Sequence, residues 1–130
     1  DESVMRPLKE GEKPRSPGMK YRHYAPKGSL TIFEGAPEDV ARAICRAYDA
    51  AGKNALILAL EAHVPLYGGR RVVSLGLDAV EMARRLFDEL RGADEMGATQ
   101  IFSEAVPGKG IGLAVMNRLG RAAAFHIKQV

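Results

Sequence analysis

Short apolar runs alternate with amphipathic stretches along most of the chain. Residues 29–34, 54–61, 71–75 and 99–105 are short and rich in aliphatic or β-branched residues, which predicts four strands. Residues 54–61 are apolar at nearly every position, as is typical of a strand buried on both faces of a parallel sheet.

Three amphipathic segments accompany these strands and predict helices. Between Val40 and Ala51 the apolar residues recur at helical spacing, and Pro37 and Gly52 suit the two ends of that helix. Residues 78–91 and 111–124 predict two more helices. The resulting order is strand, helix, strand, strand, helix, strand, helix. This order predicts an α/β layered domain with a mainly parallel sheet of about four to five strands.

The link between the second and third predicted strands does not fit this scheme easily. Only residues 62–70 connect them, whereas a parallel crossover usually needs about a dozen residues or more. Either the two strands are antiparallel or the link crosses without an α-helix, and the sequence leaves both alternatives open.

Residues 1–28 differ in character from the rest. They contain four prolines and three glycines, which predicts an extended arm and not a core element. They also hold seven basic and four acidic residues, a net charge of +3, whereas residues 29–130 hold twelve of each and are neutral. We therefore divide the chain into a basic arm, 1–28, and a globular domain, 29–130.

Composition and motifs exclude several classes of protein. No apolar run approaches the roughly 18 to 20 residues of a membrane span, and no secretory signal stands near the first residue. The single cysteine, Cys45, cannot form an internal disulfide, which favours a cytoplasmic location. The known hydrolase, metalloprotease and P-loop motifs are absent, and His23, His63 and His126 do not have metal-ligand spacing, so no metal site is expected.

Two features of the predicted domain are candidates for chemistry. Glu34, Glu61 and Glu104 stand at the carboxyl ends of predicted strands, where open parallel sheets bind ligands, and they could hold a cation or dock a basic segment. The simpler interpretation is that these glutamates begin loops, and we favour it. Gly108 and Gly110 precede the last helix, where a phosphate could approach free N–H groups, but their spacing matches no known nucleotide fingerprint.

The arm carries the strongest candidate for binding. Its residues 15–26 combine basic side chains, which bind phosphates and carboxylates, with tyrosine and histidine rings that can cover a ligand. The plain alternative is a solvated linker. A further alternative is an RNA-binding arm, for which tRNA affinity would fall steeply with salt.

The segment SPGMKYRHYAP, residues 16–26, resembles the interdomain linker of two-domain threonylcarbamoyl-AMP synthases. LTIFEG, SLGLDAVEMARRLFDELRGADEMG and GIGLAVMNRLGRAAAF resemble the C-terminal domain of the same family. In that family, an N-terminal YrdC-like catalytic domain is joined through the linker to a smaller Rossmann-like domain. The resemblance therefore implies a Rossmann-like three-layer accessory domain preceded by its linker.

The resemblance also implies a function. The family makes threonylcarbamoyl-AMP from L-threonine, bicarbonate and ATP, for threonylcarbamoyladenosine in tRNA. ATP, with Mg, is bound mainly by the N-terminal domain, which this chain lacks, so we expect no catalytic residue and no cofactor here. The expected partner is that domain, and neither membrane association nor direct tRNA binding is expected. The linker would cover the substrates through Ser16, Lys20, Tyr21, Arg22, His23 and Tyr24. The rival hypothesis is a free-standing nucleotide-sensing domain that uses residues 108–112.

Overall fold

The computed structural model describes residues 24–106, 110–124 and 126–130. Within them the chain forms five strands: β1 (Ser29–Glu34), β2 (Ala55–Ala59), β3 (Val72–Ser74), β4 (Gln100–Glu104) and β5 (Ile127–Gln129). They build one sheet in the order β3-β2-β4-β1-β5, and every pairing is parallel. In the central pair, Ser29 of β1 lies opposite Gln100 of β4, and Phe33 lies opposite Glu104. The predicted α/β fold with a parallel sheet is confirmed.

Three α-helices and one 3-10 helix join the strands. Their bounds are α1 (Pro37–Ala51), the 3-10 helix (Glu61–Tyr67), α2 (Ala79–Glu95) and α3 (Ile111–Ala122). Proline at the first position of α1 has the backbone angle that a helix start requires. Asp78 caps α2, because its side chain accepts a hydrogen bond from the Glu81 backbone N–H at 3.0 Å. None of the described helices combines the length and apolar character needed to cross a bilayer.

Apolar side chains from the two faces of the sheet form two separate cores. One face packs against α2 and α3, through residues that include Leu30, Ile32, Leu56, Leu58 and Ile101. The opposite face packs against α1 and the 3-10 helix, through residues that include Phe33, Ile57 and Phe102. Because successive side chains of a strand point to opposite faces, each buried strand contributes to both cores. The result is the predicted three-layer arrangement, with the sheet in the middle.

The link between β2 and β3 follows the second of the two alternatives. The strands are parallel, with Ile57 opposite Val72 and Ala59 opposite Ser74, and the link contains the 3-10 helix instead of an α-helix. A seven-residue 3-10 helix spans about 14 Å, which is enough to return along a strand of three residues, roughly 10 Å long. The short crossover is possible because β3 is short.

The strand β5 has no counterpart among the four predicted strands. It adds to the outer edge of β1, where the Ile32 N–H donates to the His126 carbonyl and the Val130 N–H donates to the Glu34 carbonyl, both at 2.9 Å. All three residues of β5 are exposed. The strand therefore lacks the apolar pattern by which the others were predicted.

The chain enters β1 through a close backbone contact at Gly28. A Cβ atom on this residue would lie 2.4 Å from the Ala98 carbonyl oxygen and 2.8 Å from that of Thr99. The next residue, Ser29, donates its N–H to the Thr99 carbonyl at 3.0 Å. A side chain at position 28 would therefore push β1 away from the turn before β4.

This contact predicts that Gly28→Ala destabilises the domain. We expect a loss of about 1–3 kcal/mol in the free energy of unfolding, the usual cost of overpacking, measured by urea denaturation followed by circular dichroism. Gly69→Ala is the matched control, because Gly69 is exposed and a Cβ there meets no atom within 4 Å. Equal unfolding midpoints for the two variants would contradict the prediction.

Candidate functional site

A cleft of about 310 Å³ opens at the carboxyl ends of β1 and β4. The helices that follow these neighbouring strands pack on opposite faces of the sheet, α1 on one and α3 on the other. The chain thus leaves the two strands in opposite directions, which is the point where open α/β sheets bind ligands. The lining residues are Phe33, Glu34, Gly35, Pro37, Val40, Leu60, His63, Glu104 and Ala105.

The floor of the cleft is the carboxylate of Glu104, which is only 4% exposed. Its Oε1 accepts hydrogen bonds from the Leu60 backbone N–H at 3.0 Å and from His63 Nδ1 at 2.8 Å. Its Oε2 accepts a hydrogen bond from the Tyr67 hydroxyl at 2.6 Å. A buried carboxylate needs such donors, because removing a charge from water is costly unless hydrogen bonds replace the water. All three donors come from the segment that follows β2, so Glu104 fastens that segment to the sheet.

Two side chains, Tyr67 and His63, donate to Glu104. Tyr67 is fully buried, and burial, followed by its hydrogen bond to Glu104, raises the pKa of its hydroxyl far above the usual range. The hydroxyl therefore remains a donor at physiological pH. The Leu60 backbone N–H can only donate, so Glu104 Oε1 is an acceptor, and we assign a ring proton of His63 to Nδ1, which contacts the same oxygen. A neutral His63 then has an acceptor at Nε2, on a ring that lines the cleft.

The walls of the cleft are mostly apolar. Phe33 forms one wall and packs edge-to-face on Phe102, with ring centroids 6.1 Å apart, while Val40 and Leu60 contribute aliphatic surface. Glu34 lies half-buried at the mouth, where its Oε1 accepts a hydrogen bond from Gln129 Nε2. No serine, threonine, cysteine or lysine is among the lining residues described. The cleft therefore has the composition of a small-molecule binding site.

The three glutamates at predicted strand ends do not form one site. Glu34 and Glu104 both line the cleft, whereas Glu61 is exposed at the start of the 3-10 helix and is not among the lining residues. Within the described ranges, no three His, Cys, Asp or Glu side chains are grouped as a metal ion would require. Gly110 precedes α3 with a φ of 60°, and Gly108 lies outside the described residues.

Of the predicted covering residues, Tyr24 is the one that the structure describes. Ser16, Lys20, Tyr21, Arg22 and His23 lie outside the described residues. Tyr24 packs against the α2 side of the domain, and its hydroxyl donates to Asp94 Oδ2. This hydrogen bond to a carboxylate is the main cause that raises the pKa of Tyr24. The Lys27 backbone N–H donates to Asp94 Oδ1 at 2.8 Å.

This anchor lies at the amino end of β1, while the cleft lies at its carboxyl end. The six residues of β1 separate the two sites by roughly 17 Å. The described end of the arm is therefore held by α2 and does not contact the cleft.

Sequence reasoning did not identify His63, Tyr67 or Asp94 as site residues. Glu104 is 41 residues from His63 and 37 from Tyr67 along the chain, so no local spacing relates them. The one available signal is an acidic residue at the end of a strongly apolar strand, which predicts a buried carboxylate with partners but does not name them.

The Glu104 hydrogen bonds predict that Tyr67→Phe destabilises the domain, because it leaves Oε2 buried without its donor. We expect a loss of about 1–3 kcal/mol in the free energy of unfolding. Tyr48→Phe is the control, since the Tyr48 hydroxyl accepts only an exposed hydrogen bond, from the Arg71 N–H at 3.0 Å. The Tyr48→Phe substitution should lower the free energy of unfolding by no more than about 0.5 kcal/mol. If both variants unfold at the same urea concentration, the Glu104 network does not stabilise the fold as described.

Comparison with known proteins identifies the family. The sequence model described as threonylcarbamoyl-AMP synthase, C-terminal domain, matches residues 2–124. The threonylcarbamoyl-AMP synthase of Bacillus subtilis (strain 168) is 42% identical over 120 residues, covering 91% of this chain and 34% of the relative. The threonylcarbamoyl-AMP synthase of Pyrococcus abyssi (strain GE5 / Orsay) is 39% identical over 119 residues, covering 89% of this chain and 34% of that relative. The chain thus spans about a third of the length of the curated relatives it matches.

Solved structures agree with the sequence comparison. The crystal structure of P. abyssi Sua5 complexed with L-threonine aligns with a TM-score of 0.75 at 35% identity, covering 100% of this chain and 37% of that one. The crystal structure of a C-terminal Sua5 domain from Pyrococcus horikoshii aligns with a TM-score of 0.62 at 29% identity, covering 82% of this chain and all of that one. These matches confirm the resemblance carried by residues 16–26 and the later segments. The chain belongs to the family of threonylcarbamoyl-AMP synthase C-terminal domains.

Proposed function

We propose that this chain is the accessory domain and the active-site-covering linker of a cytoplasmic threonylcarbamoyl-AMP synthase. The complete enzyme would convert L-threonine, bicarbonate and ATP, with Mg, into threonylcarbamoyl-AMP and pyrophosphate, for the modification of tRNA. The observation that carries the proposal is the family match over residues 2–124, which includes both the linker segment and the domain. The P. abyssi protein crystallised with L-threonine supports the choice of amino-acid substrate.

In this proposal, residues 1–28 are the linker and residues 29–130 are the domain that holds it. The linker would lie across the site of an N-terminal YrdC-like domain of the same polypeptide. Ser16, Lys20, Tyr21, Arg22 and His23 would face the substrates there, where basic groups suit the phosphates and aromatic rings exclude water.

The contacts at Asp94 give the domain a physical role. Asp94 accepts hydrogen bonds from the Tyr24 hydroxyl and the Lys27 N–H, and Gly28 is packed against the carbonyls of Ala98 and Thr99. These contacts fix the carboxyl end of the linker to α2 and to the turn before β4. A segment fixed at one end loses less conformational entropy when it closes over a site. We therefore assign the domain the role of an anchor for the linker.

The proposal predicts that the isolated chain has no synthase activity, because the ATP-binding and threonine-binding domain is absent. A pyrophosphate-release assay with ATP, L-threonine and bicarbonate should give the rate of the enzyme-free blank. The complete synthase that carries this chain as its C-terminal part serves as the positive control. Turnover of the isolated chain above the blank would place catalytic residues within residues 1–130 and overturn the proposal.

The anchor role predicts a specific effect of Asp94→Ala in the complete synthase. Losing two hydrogen bonds to the linker should lower kcat/KM by about tenfold, and amide hydrogen exchange at Lys27 should become faster. Asp88→Ala is the matched control on the same helix, because Asp88 is exposed and pairs with Arg91. If both variants keep the parent kcat/KM while Asp94→Ala speeds exchange at Lys27, the anchor exists but does not serve catalysis.

A further inference from the structure

The floor of the cleft retains capacity to accept a hydrogen bond. A carboxylate offers about four lone-pair positions. Glu104 Oε1 uses two of them for Leu60 and His63, and Oε2 uses one for Tyr67. Among the described residues, one position on Oε2 is left over. A donor that enters the cleft can therefore bond to Glu104 without displacing any of the partners that hold the fold together.

A second carboxylate lies at the mouth of the same cleft. Glu34 Oε1 accepts from Gln129, and within the described part of the chain no hydrogen bond involves its Oε2. No lysine or arginine is among the lining residues described. Lys128 lies against the Phe33 ring, 5.9 Å from its centroid, on the β5 strand and outside the lining. Two acidic groups between low-dielectric walls create a negative potential that attracts a cation.

The start of α1, which lies beside the cleft, does not change the preference of the cleft for a cation. Free N–H groups in the first turn of a helix can bind anions, but the first turn of α1 already carries Glu38 and Asp39. A phosphate or carboxylate in the cleft would meet like charges from Glu34 at the mouth and Glu104 at the floor. The cleft therefore disfavours nucleotides.

The walls set the size and shape of the ligand. A volume of about 310 Å³ is at the lower end of the roughly 300–1,000 Å³ typical of small-molecule sites. The walls are formed largely by Phe33, Pro37, Val40 and Leu60, which favour an apolar body. The described residues contain no group of three ligands that could hold a bare metal ion. Apolar walls would also make no favourable contact with such an ion.

From this geometry we propose that the cleft binds a small organic ammonium ion, a primary amine carried on a short apolar chain or ring. The ammonium group donates to Glu104 Oε2 and Glu34 Oε2, and the apolar body packs between Phe33 and Val40. His63 is a positioning residue, because its hydrogen bond to Oε1 orients Glu104. The site is separate from the linker anchor and gives the domain a ligand of its own.

The test uses three probe molecules that share one carbon skeleton and differ in charge: positive, neutral and negative. 3-Methylbutylamine, 3-methylbutanol and 3-methylbutanoate are titrated into the 130-residue chain at pH 7, and backbone amide shifts are followed by NMR. We expect the amine to shift the amides of Gly35, Leu60 and Ala105, with a Kd on the order of 1 mM. The alcohol should bind about tenfold more weakly, and the carboxylate should not bind. The Gly97 amide, at the other end of the sheet, should not move.

Two matched variants locate the charge that the amine recognises. Glu34→Gln should weaken amine binding about five- to tenfold and leave binding of the alcohol unchanged. Glu61→Gln, which removes an exposed acid outside the lining, should leave both unchanged. Glu104 is not altered, because its hydrogen bonds also hold the segment after β2.

Several results would overturn the proposal. One is amine and alcohol affinities within twofold of each other, and another is equal loss of amine affinity in the two variants. Tighter binding of ATP, AMP or 3-methylbutanoate than of the amine would assign the cleft to an anion and support a nucleotide sensor instead. An absence of shifts at amine concentrations far above 1 mM would show that the cleft does not bind this class.

Discussion

The buried carboxylate of Glu104 is the constraint on which the carboxyl end of this domain depends. An ionised group that is 4% exposed needs its lost water replaced, and the three donors all come from residues 60–67. These bonds hold a 3-10 helix that has no capping side chain of its own and contains Pro65. This helix forms the parallel crossover between β2 and β3, and the same carboxylate forms the floor of the cleft. Fold and site therefore share one set of hydrogen bonds.

The sheet separates two tasks at its two ends. At the amino end, Asp94 and the close contact at Gly28 hold the chain as it enters β1. At the carboxyl end, the cleft is built from β1, β4, the start of α1 and the 3-10 helix. β1 belongs to both ends and is paired on both sides, with β4 and with β5. β1 is therefore the element that connects the cleft with the point at which the described end of the arm enters the domain.

The sequence predicted the layers better than the contacts between them. The apolar run at residues 54–61 identified β2, and helical spacing identified α1, because burial imposes periodicity directly on the sequence. β5 escaped prediction because its three residues are exposed, so pairing alone defines it. Two of the three proposed glutamates, Glu34 and Glu104, do line the cleft, since carboxyl ends of parallel strands meet at one edge. The role of Glu104 could not be predicted, because its side-chain partners are 37 and 41 residues away and only the fold brings them together.

The charge distribution and the distance between the two sites show that the cleft does not attract the described end of the basic arm. All of the net charge of +3 belongs to residues 1–28, and the cleft carries Glu34 and Glu104. The described end of the arm, including Lys27, is separated from the cleft by the roughly 17 Å length of β1. At physiological ionic strength the Debye length is about 8 Å, so attraction over twice that distance is largely screened. The described end of the arm is instead held at Asp94 by two uncharged donors, the Tyr24 hydroxyl and the Lys27 backbone N–H.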